Sequence, residues 1–296
     1  MKLLKIIQLL RPKQWIKNLF IFASILFSGL LTNIGVLAVN IEAFIAFCLI
    51  SSCVYIINDI SDVEADRAHK KKRFRPIASG DVSINEARII FIFIFAIAVF
   101  ICTFLNWKFN VAIGLYFVIN ILYTYFVKNV VLLDVFFISF GFMIRVAAGA
   151  FAIDVPLSSW MILTTIFISL FLGISKRRAE LSQSEQESLT KQRKVLEQYS
   201  IPFTDQMNTI AATGTIISYA LYTVSEKTIE TFHSDNLIYT TPFVIYGIFR
   251  YMYLIHKKNL GESPTQIVTK DLPIIINSIL WFVISFAIIY KSKFGL

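Results

Sequence analysis

The run Asn58-Asp59-Ile60-Ser61-Asp62-Val63-Glu64-Ala65-Asp66-Arg67 crowds four carboxylates at the end of an apolar stretch. At about 100° per residue, helical spacing brings Asp59, Asp62 and Asp66 to within roughly 60° of one another. Asn58 borders that face and Glu64 points elsewhere. Carboxylates that close repel each other unless a cation neutralises them. Hard oxygen ligands with room for water suit Mg²⁺, which is held by a few carboxylates together with the phosphates of its substrate. The blander alternative is a solvated acidic helix end beside a basic loop.

Immediately downstream stands His69-Lys70-Lys71-Lys72-Arg73-Phe74-Arg75-Pro76-Ile77-Ala78-Ser79-Gly80. Cations beside a metal-binding acidic helix fit a diphosphate, because the metal bridges its oxygens while Arg or Lys takes the remaining charge. Pro76 and Gly80 punctuate a turn before the next apolar segment. Neither half is specific alone. NDxxDxxxD followed by RPxxxG, in that order, is a strong signal.

The elements that must position these groups are membrane spans. The 296 residues are 56% hydrophobic and 16% charged, with a mean hydropathy of +0.69. Apolar segments lie near 16–31, 41–57, 87–105, 111–127, 130–153, 157–174, 206–224, 237–255 and 272–290. Each approaches the roughly 20 residues that cross a bilayer, and helix is the state that satisfies the backbone there. The sequence therefore predicts an all-α polytopic bundle of about nine transmembrane helices. Two longer charged loops, 58–86 and 176–205, separate some of them. No short apolar region with a small-residue cleavage site marks a signal peptide. Cys48, Cys53 and Cys102 fall in or beside spans and read as small apolar residues. His69, His233 and His256 are scattered, which argues against a histidine-built metal site.

Lys and Arg distribution sets the orientation. With the N-terminus inside, the inner segments collect Lys2, Lys5, Arg11, Lys13 and Lys17, the cations of 67–75, Arg88, Lys128 and Lys176-Arg177-Arg178. Lys191, Arg193, Lys194, Lys257, Lys258 and Lys270 join them, against Lys108, Lys227, Lys291 and Lys293 outside. The net charge of +9 thus faces the cytoplasm, and topology alone accounts for it. The expected location is the cytoplasmic (inner) membrane, multi-pass, with no nucleic-acid partner.

Asn58 through Asp66, with Arg75-Pro76 and Gly80, resembles the first signature of the UbiA superfamily of intramembrane prenyltransferases. The likeness covers essentially all of the chain, read as one UbiA-type domain over 1–296. It implies a helical bundle whose central cavity, open to the cytoplasmic side, binds Mg²⁺ and a diphosphate while a lipid tail reaches into the bilayer. Asn58, Asp59, Asp62 and Asp66 are then the metal set.

Aromatic prenyltransferases of that superfamily carry a second Asp-rich motif after the sixth helix. Here the place reads Ser175-Lys176-Arg177-Arg178-Ala179-Glu180-Leu181, so two metal clusters are not expected. Together with Arg11-Pro12-Lys13-Gln14-Trp15-Ile16-Lys17-Asn18, Leu133-Asp134 and Gly141-Phe142-Met143-Ile144-Arg145, this resembles the decaprenyl-phosphate phosphoribosyltransferase branch. The resemblance implies Mg-dependent transfer of a 5-phosphoribosyl group from phosphoribosyl diphosphate to a polyprenyl phosphate, with release of diphosphate. Lys17 and Arg145 join the three aspartates as expected catalytic residues. Tyr55, Arg67, Arg73, Arg75, Lys128, Asp134, Lys176, Arg177, Arg178 and Glu180 are expected to hold the donor.

On the fifth apolar segment, Asp134 and Arg145 share a helical face but lie about 16 Å apart along the axis. An Arg in a span costs on the order of 3 kcal/mol or more unless it meets a partner or a wet cavity. Close packing at Gly141 and Gly149, with Arg145 paired to a carbonyl, stands beside the cavity-lining reading. Two further functions remain open to the sequence: transfer of an isoprenoid chain from a prenyl diphosphate, and transport, since intramembrane ionisable groups also mark ion paths.

Overall fold

The computed structural model describes residues 2–187, 194–258 and 264–291, and all regular elements among them are helical. In order they are α1 (Lys2–Leu10), a 3₁₀ segment (Pro12–Ile21), α2 (Phe22–Leu26), α3 (Ile34–Ser61), α4 (Val63–Arg67), α5 (Ile84–Cys102) and α6 (Trp107–Leu122). After them come α7 (Leu133–Ala152), α8 (Ser159–Glu187), α9 (Ile201–Val224), α10 (Glu226–Phe232), α11 (Thr241–Lys258), α12 (Pro264–Lys270) and α13 (Leu272–Tyr290). Lys191, Arg193 and Lys293 lie outside the described residues.

Local chemistry starts these helices where the sequence turns polar. Asn33 caps α3 by accepting from the Gly35 and Val36 N–H groups. Ser83 and Glu86 form a reciprocal capping box at α5, Asn106 caps α6, and Asp271 caps α13. Each satisfies donors that an apolar environment would leave orphaned.

Six helices among the described residues are long and apolar enough to cross a membrane: α3, α5, α6 with its continuation to Val127, α7, the part of α8 to Ser182, and α13. Their outward residues confirm the solvent. On α6, Trp107, Val111, Leu115, Val118 and Leu122 are all exposed at steps of three and four, one helix face that water would not tolerate. The chain is an integral membrane protein. Three of the nine apolar segments fall outside those six. The stretch 16–31 is not one helix: it is the end of the 3₁₀ segment, then α2, then a turn with Gly29 at φ 70°. α9 and α11 are helical over their segments but carry too many polar side chains to join the six.

The chain divides into two compact units. Unit 1 comprises 1–25, 32–126 and 144–156; unit 2 comprises 26–31, 127–143 and 157–296. Unit 1 packs Ala43, Phe47, Ile50 and Val54 of α3 around Ala98, Phe109, Ile113, Tyr116 and Ala148. Gly149 of α7 meets the 3₁₀ segment so closely that a Cβ there would stand 2.1 Å from the Ile21 carbonyl oxygen. That contact bears out the close-packing expectation at this glycine. Unit 2 packs Leu170, Phe171 and Ile174 of α8 against Ala211 and Ala212 of α9 and Ile248, Tyr251 and Ile255 of α11.

One expected loop is largely helix. α8 runs unbroken through 176–187, so Lys176, Arg177, Arg178 and Glu180 sit on its extension rather than on a loop. The reason is local: Lys, Arg, Ala, Glu, Leu and Gln are good helix formers, and Glu180 pairs with both Lys176 and Arg177 at helical spacing.

Candidate active site

The acidic motif does not form a single helix face. α3 ends at Ser61, Asp62 takes a non-helical φ/ψ of −98°, 9° as it caps that end, and α4 restarts at Val63. Asp59 and Asp66 are buried whereas Asp62 is half-buried. Glu64 points outward and pairs with Arg67 at 2.8 Å, away from the aspartates as expected.

What joins Asp59 to Asp66 is Arg75. Its Nη1 donates to Asp59 Oδ1 at 3.1 Å and to Asp66 Oδ2 at 2.5 Å. The loop holds it there by packing: Ile77 and Val82 are buried with Leu9, Ile56 and Ala87. The Val82 N–H donates to the Pro76 carbonyl, and Gly80 supplies the left-handed turn at φ 82°. Asp81, in the same loop, is held below the usual carboxylate range by its bonds to Lys5 and Ser79. A second guanidinium, Arg11, donates to the same Asp59 oxygen and lies 5.0 Å over the Tyr55 ring. Arg11 itself is in the left-handed region at φ 52°, a conformation costing about 1 kcal/mol or more for a non-glycine residue. Arg11 was missing from the expected site residues; its signal was the dense polar set 11–18.

Arg67 and Arg73 are exposed, with Arg73 lying over Phe74, so neither is gathered at the aspartates. Asn58 is half-buried and its carbonyl accepts the Asp62 N–H. Among the described residues no three His, Cys, Asp or Glu side chains converge closely enough to hold a metal. Arg75 thus links Asp59 and Asp66 into a close pair, and Asp62 stands at the helix break beside them. The chemistry of that pair nevertheless fits a hard divalent cation. Asp59 Oδ2 is buried and makes no hydrogen bond, an oxygen that two arginines leave unused.

A second polar group in unit 1 surrounds Arg145, which is 5% exposed. Its Nε donates to Asn18 Oδ1 at 2.7 Å and its Nη2 to the Tyr116 hydroxyl at 2.8 Å. Its guanidinium carbon also lies 4.5 Å from the centre of the Tyr116 ring. Asn18 is fully buried, accepts from Ser51 and donates to Cys48 Sγ. Lys17, on the adjoining turn, keeps part of its surface exposed. Nothing in the sequence marked Tyr116, an aromatic in an apolar run.

In unit 2, Asp134 and Arg177 are almost wholly buried and their charges meet, Oδ2 to Nε, at 2.8 Å. This is an ion contact without hydrogen-bond alignment. Arg177 also pairs with Glu180. The Tyr199 hydroxyl donates to Asp134 Oδ1 at 2.7 Å and accepts from the Leu132 N–H at 2.8 Å. Burial and the neighbouring carboxylate push the Tyr199 phenol well above its ordinary pKa. Arg178 pairs with Asp205, which also meets His256 at 3.2 Å. Lys176 stands 3.8 Å from Glu180, and Lys128 is half-buried.

The family model described as the UbiA prenyltransferase family matches residues 19–268. Two relatives are named decaprenyl-phosphate phosphoribosyltransferase. That of Mycolicibacterium smegmatis is 35% identical, covering 97% of this chain and 93% of its own. That of Corynebacterium glutamicum is 33% identical, covering 93% and 83%. Among solved structures, a UbiA homolog from Archaeoglobus fulgidus bound to GPP and Mg²⁺ aligns with a TM-score of 0.72 at 20% identity, over 96% of this chain and 99% of that one. This chain belongs to the UbiA prenyltransferase family.

Proposed function

We propose that the protein transfers a 5-phosphoribosyl group from phosphoribosyl diphosphate to a polyprenyl phosphate, with Mg²⁺ at the Asp59–Asp66 cluster. The observation that carries this reading is the identity of 35% and 33%, over nearly the whole chain, to two enzymes named for that acceptor and transfer. The family match over 19–268 supports reading 1–296 as one UbiA-type domain. The Lys/Arg asymmetry supports an N-terminus on the cytoplasmic side of the inner membrane.

In the proposed reaction the acceptor's phosphate oxygen forms a bond to the anomeric carbon. The bond from that carbon to the diphosphate oxygen breaks, and diphosphate leaves with the electron pair. A phosphate nucleophile is already anionic near neutral pH, so no side chain need remove a proton. Bound Mg²⁺ would neutralise charge developing on the leaving group. Asp59 and Asp66 would supply its carboxylates, with Asp62 and Asn58 beside them. Arg11 and Arg75 now hold those carboxylates, and they are the donors placed to turn toward diphosphate oxygens instead. Lys17 and Arg145 offer further positive charge within unit 1, and Tyr55 an aromatic face beside Arg11. In unit 2, Lys128, Lys176 and Arg178 are carried as anion-holding candidates. Arg177, buried between Asp134 and Glu180, is better assigned to holding α7 against α8, and Asp134 and Glu180 with it.

Thermal-shift titration tests the donor. With Mg²⁺ present, phosphoribosyl diphosphate should raise the melting temperature by mass action. Stabilisation by geranyl or farnesyl diphosphate, with none by phosphoribosyl diphosphate, would transfer the case to prenyl transfer.

A further inference from the structure

α1 (KLLKIIQLL) is amphipathic in an inverted sense. Leu9 is fully buried, packed with Ile56, Ile77, Val82 and Ala87. The two lysines are turned to that same side, where Lys2 pairs with Glu86 and Lys5 with Asp81. The opposite face carries Leu3 and Leu4, each 70% exposed, and Ile7, 45% exposed. At about 100° per residue these three fall within roughly 100° of arc, and no charge falls among them. A helix covering a protein in water would show its lysines outward and its leucines inward.

Its placement explains the inversion. The Lys2 contact puts the start of α1 beside Glu86, in the first turn of the spanning helix α5. At its other end the Leu10 carbonyl accepts from Ser52 Oγ at 2.8 Å. Ser52 is seven residues before Asp59 on α3, about 10 Å along the helix axis. α1 thus reaches from the end of α5 to a level well inside α3, where lipid surrounds the protein. On α5 the outward residues Ile89, Ile92 and Phe93 are 65–67% exposed, so the same unit already carries an apolar, lipid-facing surface.

We propose that α1 is docked on the bilayer, with Leu3, Leu4 and Ile7 embedded at the boundary between headgroups and acyl chains. The occupant of this face is lipid. The attraction is apolar rather than a pull on anionic headgroups, because Lys2 and Lys5 are spent on Glu86 and Asp81. The next residue after α1 is Arg11, whose guanidinium holds Asp59; the bilayer thereby becomes part of what fixes that arginine.

Nitroxide labels at Leu4→Cys and Ile7→Cys test this in phosphatidylcholine vesicles, with Cys102 replaced by Ala and the buried Cys48 and Cys53 retained. Lys70→Cys serves as the aqueous reference and Phe93→Cys as the lipid reference. Relaxation of the α1 labels by oxygen should exceed that by a water-soluble nickel chelate, matching Phe93→Cys. Nickel access equal to that at Lys70→Cys would overturn the proposal, and so would shielding from both reagents, which would mean that protein covers the face. A monodisperse profile for each labelled variant separates these outcomes from misfolding.

Discussion

Replacing Asp134 by Asn tests whether the buried pair with Arg177 holds unit 2 together. The wild-type carboxylate accepts from Tyr199 on Oδ1 and faces Arg177 Nε with Oδ2. An amide of the same shape keeps one acceptor only. If its oxygen stays with Tyr199, its NH₂ is pressed against Arg177 at about 2.8 Å, donor against donor; a flip moves the conflict to the Tyr199 hydroxyl. Removing one partner of a buried pair costs about 3–5 kcal/mol. Glu180 still neutralises Arg177, which places the expected cost near 3 kcal/mol, on the order of a hundredfold in the folding equilibrium. Replacing both partners, Asp134→Leu with Arg177→Met, should recover most of that loss, because a buried ion pair exchanged for apolar groups of similar size is often neutral. Unfolding in mixed micelles of rising SDS fraction reads both. An Asp134→Asn variant as stable as wild type, or a double variant no better than the single, would refute the assignment of this pair to structure.

Five other substitutions probe the acidic pair, the close packing at Gly149 and the cap of α13. Asp59→Asn and Asp66→Asn should each cut turnover on the order of 100-fold or more, the scale of losing one group that stabilises transition-state charge, while Glu64→Gln, on the exposed side of α4, should stay near wild type. Gly149→Ala puts a methyl 2.1 Å from the Ile21 carbonyl oxygen and should destabilise by about 2–3 kcal/mol in the same micelle assay. Asp271, bonded to Arg250 and capping α13, has its pKa held below the ordinary value of 3.8 by that arginine first. A depressed folded pKa contributes stability above the unfolded value and loses it as pH falls through the folded one. The stability gap between wild type and Asp271→Ala should therefore be full near neutrality and shrink below about pH 4; a gap that does not change over that range would contradict it.

Part of the candidate site was legible because charge is so expensive in lipid that it survives only where it is used or paired. Arg145, on a span, stands out for that reason, whereas Asp59, Asp66 and Arg75 stand out by the spacing of their motif, and the structure pairs each of the four. The partners were harder to read. Asn18, Tyr116 and Tyr199 are ordinary in composition, and only packing brings them to Arg145 and Asp134. The break at Asp62 was invisible to helical periodicity, which assumes the helix continues. Hydropathy reports what lipid accepts rather than what the backbone does. It therefore read 16–31 as one span where a 3₁₀ segment and a short helix stand, and ended the sixth span near 174 where α8 carries on to Glu187.

The donor is the centre of the account, and one measurement addresses it directly. Purified protein in lipid, with Mg²⁺ and a polyprenyl phosphate, is offered radiolabelled phosphoribosyl diphosphate in one reaction and radiolabelled farnesyl diphosphate in another. Label from phosphoribosyl diphosphate should enter the lipid phase, dependent on metal and lost in Asp59→Asn. Label entering the lipid product from farnesyl diphosphate, with none from phosphoribosyl diphosphate, would contradict it.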